Sequence, residues 1–438
     1  LTDSSAASDV YKRQARVNRI IPALAFLCAS LLIIGLFTLS PVEYSKLGKQ
    51  AASSVLFLSN IIYYRDSGYF AESSLENWLL HTWSLSVEWQ FYLLYPVALL
   101  VLNRLLSRDK LKVAIVFATF LSLVLSAWLT PKNPSLSYYV LPTRAWEILV
   151  GGLAFLYPIK IYEALRKPLA VIGVILILIS CFVFSEKTSW PGISALLPVA
   201  GAYLIIIANR NENILLNNRL FQALGTWSYS IYLWHWPLVV FIYKNELNEA
   251  FAIAGFILSI ALGYLSYRFI EAIKFDDRNS SIRTFVTNKP LIFATFLALV
   301  GSFSFFTNGF IHRAPTTYQN LIEDVEASPL RNRCHTNEYV APEEACEYFV
   351  EGNTTWATIG DSHSVELAYA LGQELKATNE GLKHFSFSGC RPSYGKSEGF
   401  SKCAKWYNSS LEFIADEPKI QNVVFVHRYS YQLVGGSN

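Results

Sequence analysis

The sequence predicts a polytopic α-helical membrane domain followed by a partial α/β domain, and three observations carry that prediction. Only 16% of the 438 residues are charged while 53% are apolar, against about 25% charged in an ordinary soluble domain. Nine apolar runs are long enough to be read as membrane spans, the bilayer core being about 30 Å thick and needing roughly 20 apolar residues to cross. Charge is also unevenly divided: residues 1–311 carry 25 Lys and Arg against 17 Asp and Glu, whereas 312–438 carry 11 against 16. A net +8 half and a net −5 half imply two regions in different solvents.

The chain contains no Met and opens LTDSSAASDVYKRQ, a polar stretch foreign to the apolar sequence after it. Residues 1–14 are therefore set aside from fold reasoning, and the chain is expected to be truncated at both ends. The nine runs fall at 20–40, 87–103, 112–130, 144–158, 168–185, 192–208, 228–243, 250–270 and 290–308. Ala51–Tyr64 is shorter and carries Ser and Asn, which predicts a half-helix or interfacial segment.

Basic residues cluster in alternate loops: Arg16 and Arg19, Arg104 to Lys112, Lys160 to Lys167, Arg210 and Arg219, Lys274 to Lys289. That alternation is the positive-inside pattern. With residues 15–19 in the cytoplasm and nine spans, the chain emerges after Phe306 on the outer face. The expected organisation is a membrane domain over 15–310, a polar linker over 311–352 and an extracytoplasmic domain over 353–438.

Four of six cysteines fall in the outer region, and sequence proximity predicts bridges Cys334–Cys346 and Cys390–Cys403, as suits an oxidising compartment. Cys28 and Cys181 lie in apolar runs. The spacing lacks the C-x-x-C character of a zinc site, and no metal is expected. In the outer region Thr355–Ile359, His384–Phe387 and Asn422–Val426 read as strands separated by helical stretches. Strand, helix, strand, helix, strand predicts a parallel sheet, at about 85 residues short of a whole domain of that type.

Ile359-Gly360-Asp361-Ser362-His363 stands where a strand ends and a helix begins. A Ser there points into the crevice at the carboxyl end of the sheet, beside backbone N–H groups and a favourable helix dipole. The plainer alternative is a turn in which Asp361 or Ser362 caps the helix. In the membrane part His81–Tyr92 is the densest polar and aromatic cluster. Trp and Tyr there suit interfacial anchoring, yet Glu88 lies about one turn into a span, where an ionisable group by default marks function. Arg144 and Glu147, three apart at the head of a span, share a helical face and can neutralise each other. His235 lies between Trp234 and Trp236 within a span; Glu271 falls near the cytoplasmic surface and calls for no functional account.

Gly-Asp-Ser-His after a first strand resembles the opening block of the SGNH hydrolase and acetyltransferase superfamily, which implies Ser362 as nucleophile. Ser388-Gly389-Cys390 resembles the second block, implying Gly389 as an oxyanion donor. The superfamily's base is the His of a late Asp-x-x-His pair; His427 has Val424 three residues before it and is rejected for that role, and FVHRYS stands where the third block's Asn would be sought. HTWSLSVEWQFY (81–92) resembles the HTWSLSVEEQFY signature of the acyltransferase 3 family of integral-membrane O-acyltransferases, with Trp89 in place of a second Glu. LPTRAWEILVGG (141–152), LGTWSYSIYLWHWP (224–237) and YLSYRFIE (264–271) continue the resemblance in order. The fused SGNH segment resembles the O-antigen and peptidoglycan acetylase architecture.

The resemblance implies two further spans before Arg16, the first bearing the catalytic His. It implies that Arg16 and Arg19, in Arg-Val-Asn-Arg, meet the phosphates of acetyl-CoA, a task guanidinium groups suit; without it the pair reads as positive-inside anchoring. It also implies site roles for His81, Glu88 and His235. The reading is an O-acyltransferase of the bacterial inner membrane that moves an acyl group, acetyl by resemblance, from cytoplasmic acyl-CoA to a hydroxyl of an envelope glycan or lipid-linked sugar, such as lipopolysaccharide O-antigen. Two rivals are a transporter or flippase with an appended SGNH esterase, and a non-catalytic scaffold. The sequence holds no GxxxxGK[ST] loop, and its basic residues follow membrane topology, so nucleic acid is not an expected partner.

Overall fold

The computed structural model describes residues 3–67, 74–185, 188–208, 218–273, 288–324, 327–349, 353–397, 399 and 401–427, with side chains from residue 17 onward except at 321, 323 and 324. The chain divides into two compact units, Leu1–Ala314 and Pro315–Asn438.

The first unit is helical. Its helices are α1 (Asp3–Thr38), α2 (Pro41–Val55), α3 (Ser59–Asp66), α4 (Thr82–Leu105), α5 (Arg108–Leu129), α6 (Pro134–Tyr139), α7 (Leu141–Leu156), α8 (Glu163–Val183), α9 (Leu196–Ala208), α10 (Arg219–Lys244), α11 (Glu249–Ser266) and α12 (Lys289–Phe306). A π-helical turn, Tyr267–Glu271, extends α11. Six segments among the described residues are long and apolar enough to cross a membrane: Val17–Thr38, Thr82–Leu105, Arg108–Leu129, Glu163–Val183, Glu249–Glu271 and Lys289–Phe306. The expected nine spans are thus not all reached. The run at 144–158 lies in a helix of 16 residues and that at 192–208 in one of 13. The run at 228–243 lies in α10, which is 26 residues long but rich in polar and aromatic groups.

Large apolar side chains cover the outside of this unit, among them Phe37, Phe155, Phe182 and Phe306 at 80–88% exposure. Patches of that extent belong in lipid or against a partner. The largest buried cluster joins α1, α2 and α12, with Leu24, Leu27, Leu47 and Leu297 inside it.

The expected half-helix at 51–64 is a broken helix. Ser40 and Glu43 form a capping box with Pro41 in the first turn, which starts α2; the chain breaks at Leu56–Leu58 and restarts as α3. Eleven of the fifteen residues of α2 are buried despite its polar sequence. Its fit against α12 depends on glycines: a Cβ on Gly48 would lie 2.5 Å from the Gly301 carbonyl, and the reverse is equally true. Small residues let helix backbones approach this closely in membranes.

The second unit carries α13 (Thr316–Asp324), α14 (Arg331–Cys334), α15 (Ser364–Lys376) and α16 (Lys402–Asp416) around a four-stranded sheet. Its strands are β1 (Cys346–Tyr348), β2 (Asn353–Gly360), β3 (Glu380–Ser386) and β4 (Asn422–Val426), in the order β1-β3-β2-β4. β2 is parallel to both β3 and β4, as the alternating pattern predicts; β1 joins the edge of β3 antiparallel, inside the expected linker. Alternation along the strands feeds two cores. Ala357, Ile359 and Phe385 pack with Trp406 and Ile414 of α16, whereas Leu382 packs with Ala368 and Leu375 of α15. The connection from β2 runs to β3 on one side and the connection from β3 runs back to β4 on the other, so the carboxyl end of β2 is a topological switch point, where α/β sheets open a crevice.

Candidate functional site

The Gly-Asp-Ser-His turn occupies that switch point. β2 ends at Gly360, where a Cβ would lie 2.0 Å from the Val426 carbonyl oxygen, so only glycine lets β4 pair this closely. The Asp361 N–H donates to the Val426 carbonyl at 3.2 Å. The Asp361 carboxylate accepts from the His363 N–H at 2.9 Å, and the Ser364 hydroxyl donates to the Asp361 carbonyl at 2.7 Å. Asp361 therefore closes the turn, and no side chain caps α15. Ser362 is 2% exposed, and its hydroxyl makes no hydrogen bond among the described residues. Neither Asp361 nor Ser362 caps α15 through its side chain; Asp361 closes the turn, and the Ser362 hydroxyl is uncommitted among the described residues.

The second block sits one strand away. The Phe387 N–H donates to the Gly360 carbonyl at 3.1 Å, tying the chain beyond β3 to the end of β2. Ser388 and Cys390 N–H groups are committed to the carbonyls of Thr336 and Phe387 at 2.8 and 3.1 Å. Gly389 between them has φ of +73°, in the left-handed region that glycine tolerates. Both bridges predicted from proximity are present, Cys334–Cys346 and Cys390–Cys403, and the second pins the Gly389 loop to α16.

His427, rejected as a base on sequence spacing, stands in this site. Its Nδ1 lies 3.8 Å from Asp361 Oδ2, both side chains being fully buried. The other carboxylate oxygen lies 3.0 Å from His363 Nδ1. Burial pushes the His427 imidazole below its ordinary value, opposed by the Asp361 carboxylate and the Cys390 backbone. An Asp-x-x-His spacing is local in sequence, and it does not register the parallel pairing of β4 with β2 that brings this His to an Asp.

In the helical unit, His81 and His235 come together. His81 is buried at the start of α4, its ring centroid 5.6 Å from that of His235 and 5.1 Å from that of Tyr232, edge to face. The Tyr232 hydroxyl donates to the His81 carbonyl and shares a 2.7 Å hydrogen bond with the Ser84 hydroxyl. His235 Nδ1 meets the Tyr232 carbonyl at 2.6 Å, which fixes that nitrogen as the protonated one. Behind His81 runs a buried polar chain that the sequence did not single out: Gln50 to Asn77 (2.8 Å), Ser54 to Thr82 (2.7 Å), Thr82 to Ser59 (3.1 Å) and Ser59 to Ser86 (2.8 Å). The signal was the clustering of small hydroxylated residues at 53–59 and 82–86. Glu88 is exposed on α4, four residues from Ser84 and so on the same face; its charge acts on Tyr232.

Arg144 and Glu147 pair at 3.1 Å, and the guanidinium lies over Trp83 at 5.2 Å. Arg19 donates from Nε to Glu271 at 2.6 Å, while the Ser230 hydroxyl donates to the other Glu271 oxygen at 2.9 Å. Glu271 is therefore no bland surface carboxylate: it is buried and organises three elements. The side chain of Arg16 lies outside the described residues. Among the described residues no cluster of His, Cys, Asp or Glu could hold a metal ion.

Comparison with known proteins converges with these geometries. Residues 333–438 match the SGNH domain described as fused to acyltransferase 3 domains. The chain is 31% identical over 280 residues to the peptidoglycan O-acetyltransferase OatA of Listeria monocytogenes, covering 58% of this chain and 44% of that protein. It is 28% identical over 277 residues to the O-acetyltransferase OatA of Staphylococcus aureus, covering 58% and 46%. The chain thus spans about half the length of these curated relatives. No solved structure matches it. Residues 7–268, more than half of the chain, match the acyltransferase domain Acyl_transf_3, and the chain belongs to that family, with an SGNH domain following its helical unit.

Proposed function

We propose that this protein is a membrane O-acetyltransferase that carries an acetyl group from acetyl-CoA at the cytoplasmic face to a hydroxyl of a cell-envelope glycan. The observation that carries the reading is the uncommitted, buried Ser362 hydroxyl at the switch point of a disulfide-bonded α/β unit, joined to a helical unit of the acyltransferase family. Arg16 and Arg19 are the proposed contacts to the phosphates of the donor, and the acyl group passes the His81 and His235 pair and Glu88 within a domain proposed to hold nine spans. Ser362 Oγ then attacks the acyl carbonyl, and the bond to the carrier breaks as the carrier takes up the proton. In the second step a sugar hydroxyl attacks the resulting ester, its proton returning to Ser362. Splitting the transfer in this way replaces one hard step by two easier ones. Gly389 N–H is the proposed donor to the oxyanion.

The acceptor follows from the relatives. The Listeria protein is named for peptidoglycan, which favours a hydroxyl of that polymer over lipopolysaccharide O-antigen. Catalysis then requires the second unit to lie outside the plasma membrane, where its disulfides are stable.

The test supplies isotopically labelled acetyl-CoA to inverted membrane vesicles that carry the full-length protein and follows base-labile label in the glycan. Transfer by the wild type and its loss in Ser362→Ala and in Arg19→Ala supports the reading. Transfer that survives Ser362→Ala overturns the covalent step; label that appears without entry of acetyl-CoA from the cytoplasmic face overturns the donor.

A further inference from the structure

We propose that His427 is a positioning residue of the transfer site, a single imidazole that holds the nucleophile turn against the oxyanion loop through the Asp361 carboxylate. The inference rests on the reading of Ser362 as the acyl-accepting group. β4 pairs with β2 in the register Val426 to Gly360, so His427 is the first residue beyond β4 and stands beside Asp361, the first beyond β2. Its Nδ1 faces Asp361 Oδ2 at 3.8 Å, and neither side chain is exposed. The same carboxylate holds the His363 N–H at 2.9 Å, so a shift of Asp361 is passed directly to the peptide units on either side of Ser362.

The ring also reaches the other half of the site. It lies 5.7 Å from the ring of Tyr407 on α16, and the Cys390 backbone interacts with it. Cys390 follows Gly389 and is bridged to Cys403 at the start of α16. Asp361, Cys390 and Tyr407, from three segments distant in sequence, thus approach one imidazole. The groups that face it are the Asp361 carboxylate from the turn, the Tyr407 phenol from α16 and the Cys390 backbone from the loop, and the His363 imidazole lies on the other oxygen of the same carboxylate. Burial favours the neutral ring, with Nδ1 on the side of the carboxylate. Protonation at acid pH places a cation beside Asp361 and offsets its charge.

The experiment measures acetyl transfer in the full-length protein and compares His427→Ala, His427→Asn, Asp361→Asn and the double variant His427→Asn/Asp361→Asn. Misplacing a reacting group by about 1 Å costs on the order of 100-fold, so His427→Ala is expected to lower kcat by about 10- to 100-fold with KM for acetyl-CoA unchanged. Asn offers an amide N–H near the place of Nδ1 and is expected to recover part of that loss. It does not titrate, so the acid limb of the kcat profile shifts. Two residues acting through one contact are not additive, and the double variant is expected to cost no more than the worse single one. Thermal unfolding of each variant separates loss of fold from loss of rate.

With Ser362→Ala inactive, a wild-type kcat in His427→Ala overturns the proposal alone. So does an Asn variant that equals Ala and leaves the pH profile unmoved. Transfer that persists in Ser362→Ala overturns the reading of Ser362, and this inference with it.

Discussion

Ser362 and Asp361 are neighbours in sequence and opposites in bonding. Asp361 is tied to Val426, His363 and Ser364, whereas the Ser362 hydroxyl is buried with no hydrogen bond among the described residues. Removing a buried hydroxyl that makes no bond costs no bond and relieves its desolvation, so Ser362→Ala is expected to leave stability unchanged or raise it by about 1 kcal/mol while abolishing transfer. Differential scanning fluorimetry beside the transfer assay checks the pair of outcomes, and a large drop in Tm shows the hydroxyl to be structural. His384 carries a separate prediction. It is 1% exposed, shares a 2.8 Å hydrogen bond with the Thr358 hydroxyl, and is pushed down to about 3 by burial. The unfolded chain, with its His near 6.5, then binds the extra proton between those values. Stability contributed by this neutral ring is whole above about pH 6.5 and is lost as pH falls toward 3, with a limiting slope of about 1.4 kcal/mol per pH unit. Denaturant unfolding of wild type and His384→Gln across pH 4–7 reads it: the variant's slope is expected to be shallower. The Gly-Asp-Ser-His turn was legible because its chemistry is local. His427 and Glu271 were not, since each acquires its partners from elements distant in sequence.

At the scale of elements, legibility followed apolarity. The strands at 355–359, 384–387 and 422–426 and the long apolar helices announce themselves by composition; burial on both faces accounts for it at the carboxyl ends of β2 and β3, whereas β4 is half-exposed. α2 is buried and polar, so hydropathy passed over it, although the Ser40–Glu43 capping box with Pro41 was a readable start signal. β1 is three residues long and partly buried, too short to show any period. What holds α2 is close backbone approach to α12, supported by the Ser45 hydroxyl donating to the Phe305 carbonyl at 3.2 Å. Gly48→Ala forces a methyl to within 2.5 Å of the Gly301 carbonyl, and overpacking of this kind costs about 1–3 kcal/mol. Gly151 sits in helix α7, where a Cβ would meet nothing within 4 Å, and Ala there removes a helix-interior glycine at a gain of up to about 1 kcal/mol. Unfolding in mixed micelles is expected to rank Gly151→Ala at or above wild type and Gly48→Ala below it; equal stability of the two variants refutes the close-approach account.

For the whole molecule, charge and cysteine point the same way. The helical unit carries the basic excess in alternate loops, and the acidic second unit carries every disulfide among the described residues. Each bridge closes a loop of about a dozen residues, which constrains the unfolded chain by about 3 kcal/mol in the loop-entropy account. Such bridges persist only in an oxidising compartment, so the proposed orientation has a direct reading by thiol chemistry. Cys28 is buried, and Cys181 faces outward from the apolar helix α8, where a charged reagent in water does not reach it. A membrane-impermeant maleimide applied to intact spheroplasts is therefore expected to leave the protein unlabelled. After treatment with an impermeant phosphine reductant, Cys334, Cys346, Cys390 and Cys403 are expected to label from outside, and their Ser variants to lose that signal. Labelling that needs permeabilised membranes places the second unit in the cytoplasm. In that event Ser362 has no route to an envelope glycan, and the transfer reading falls with the topology.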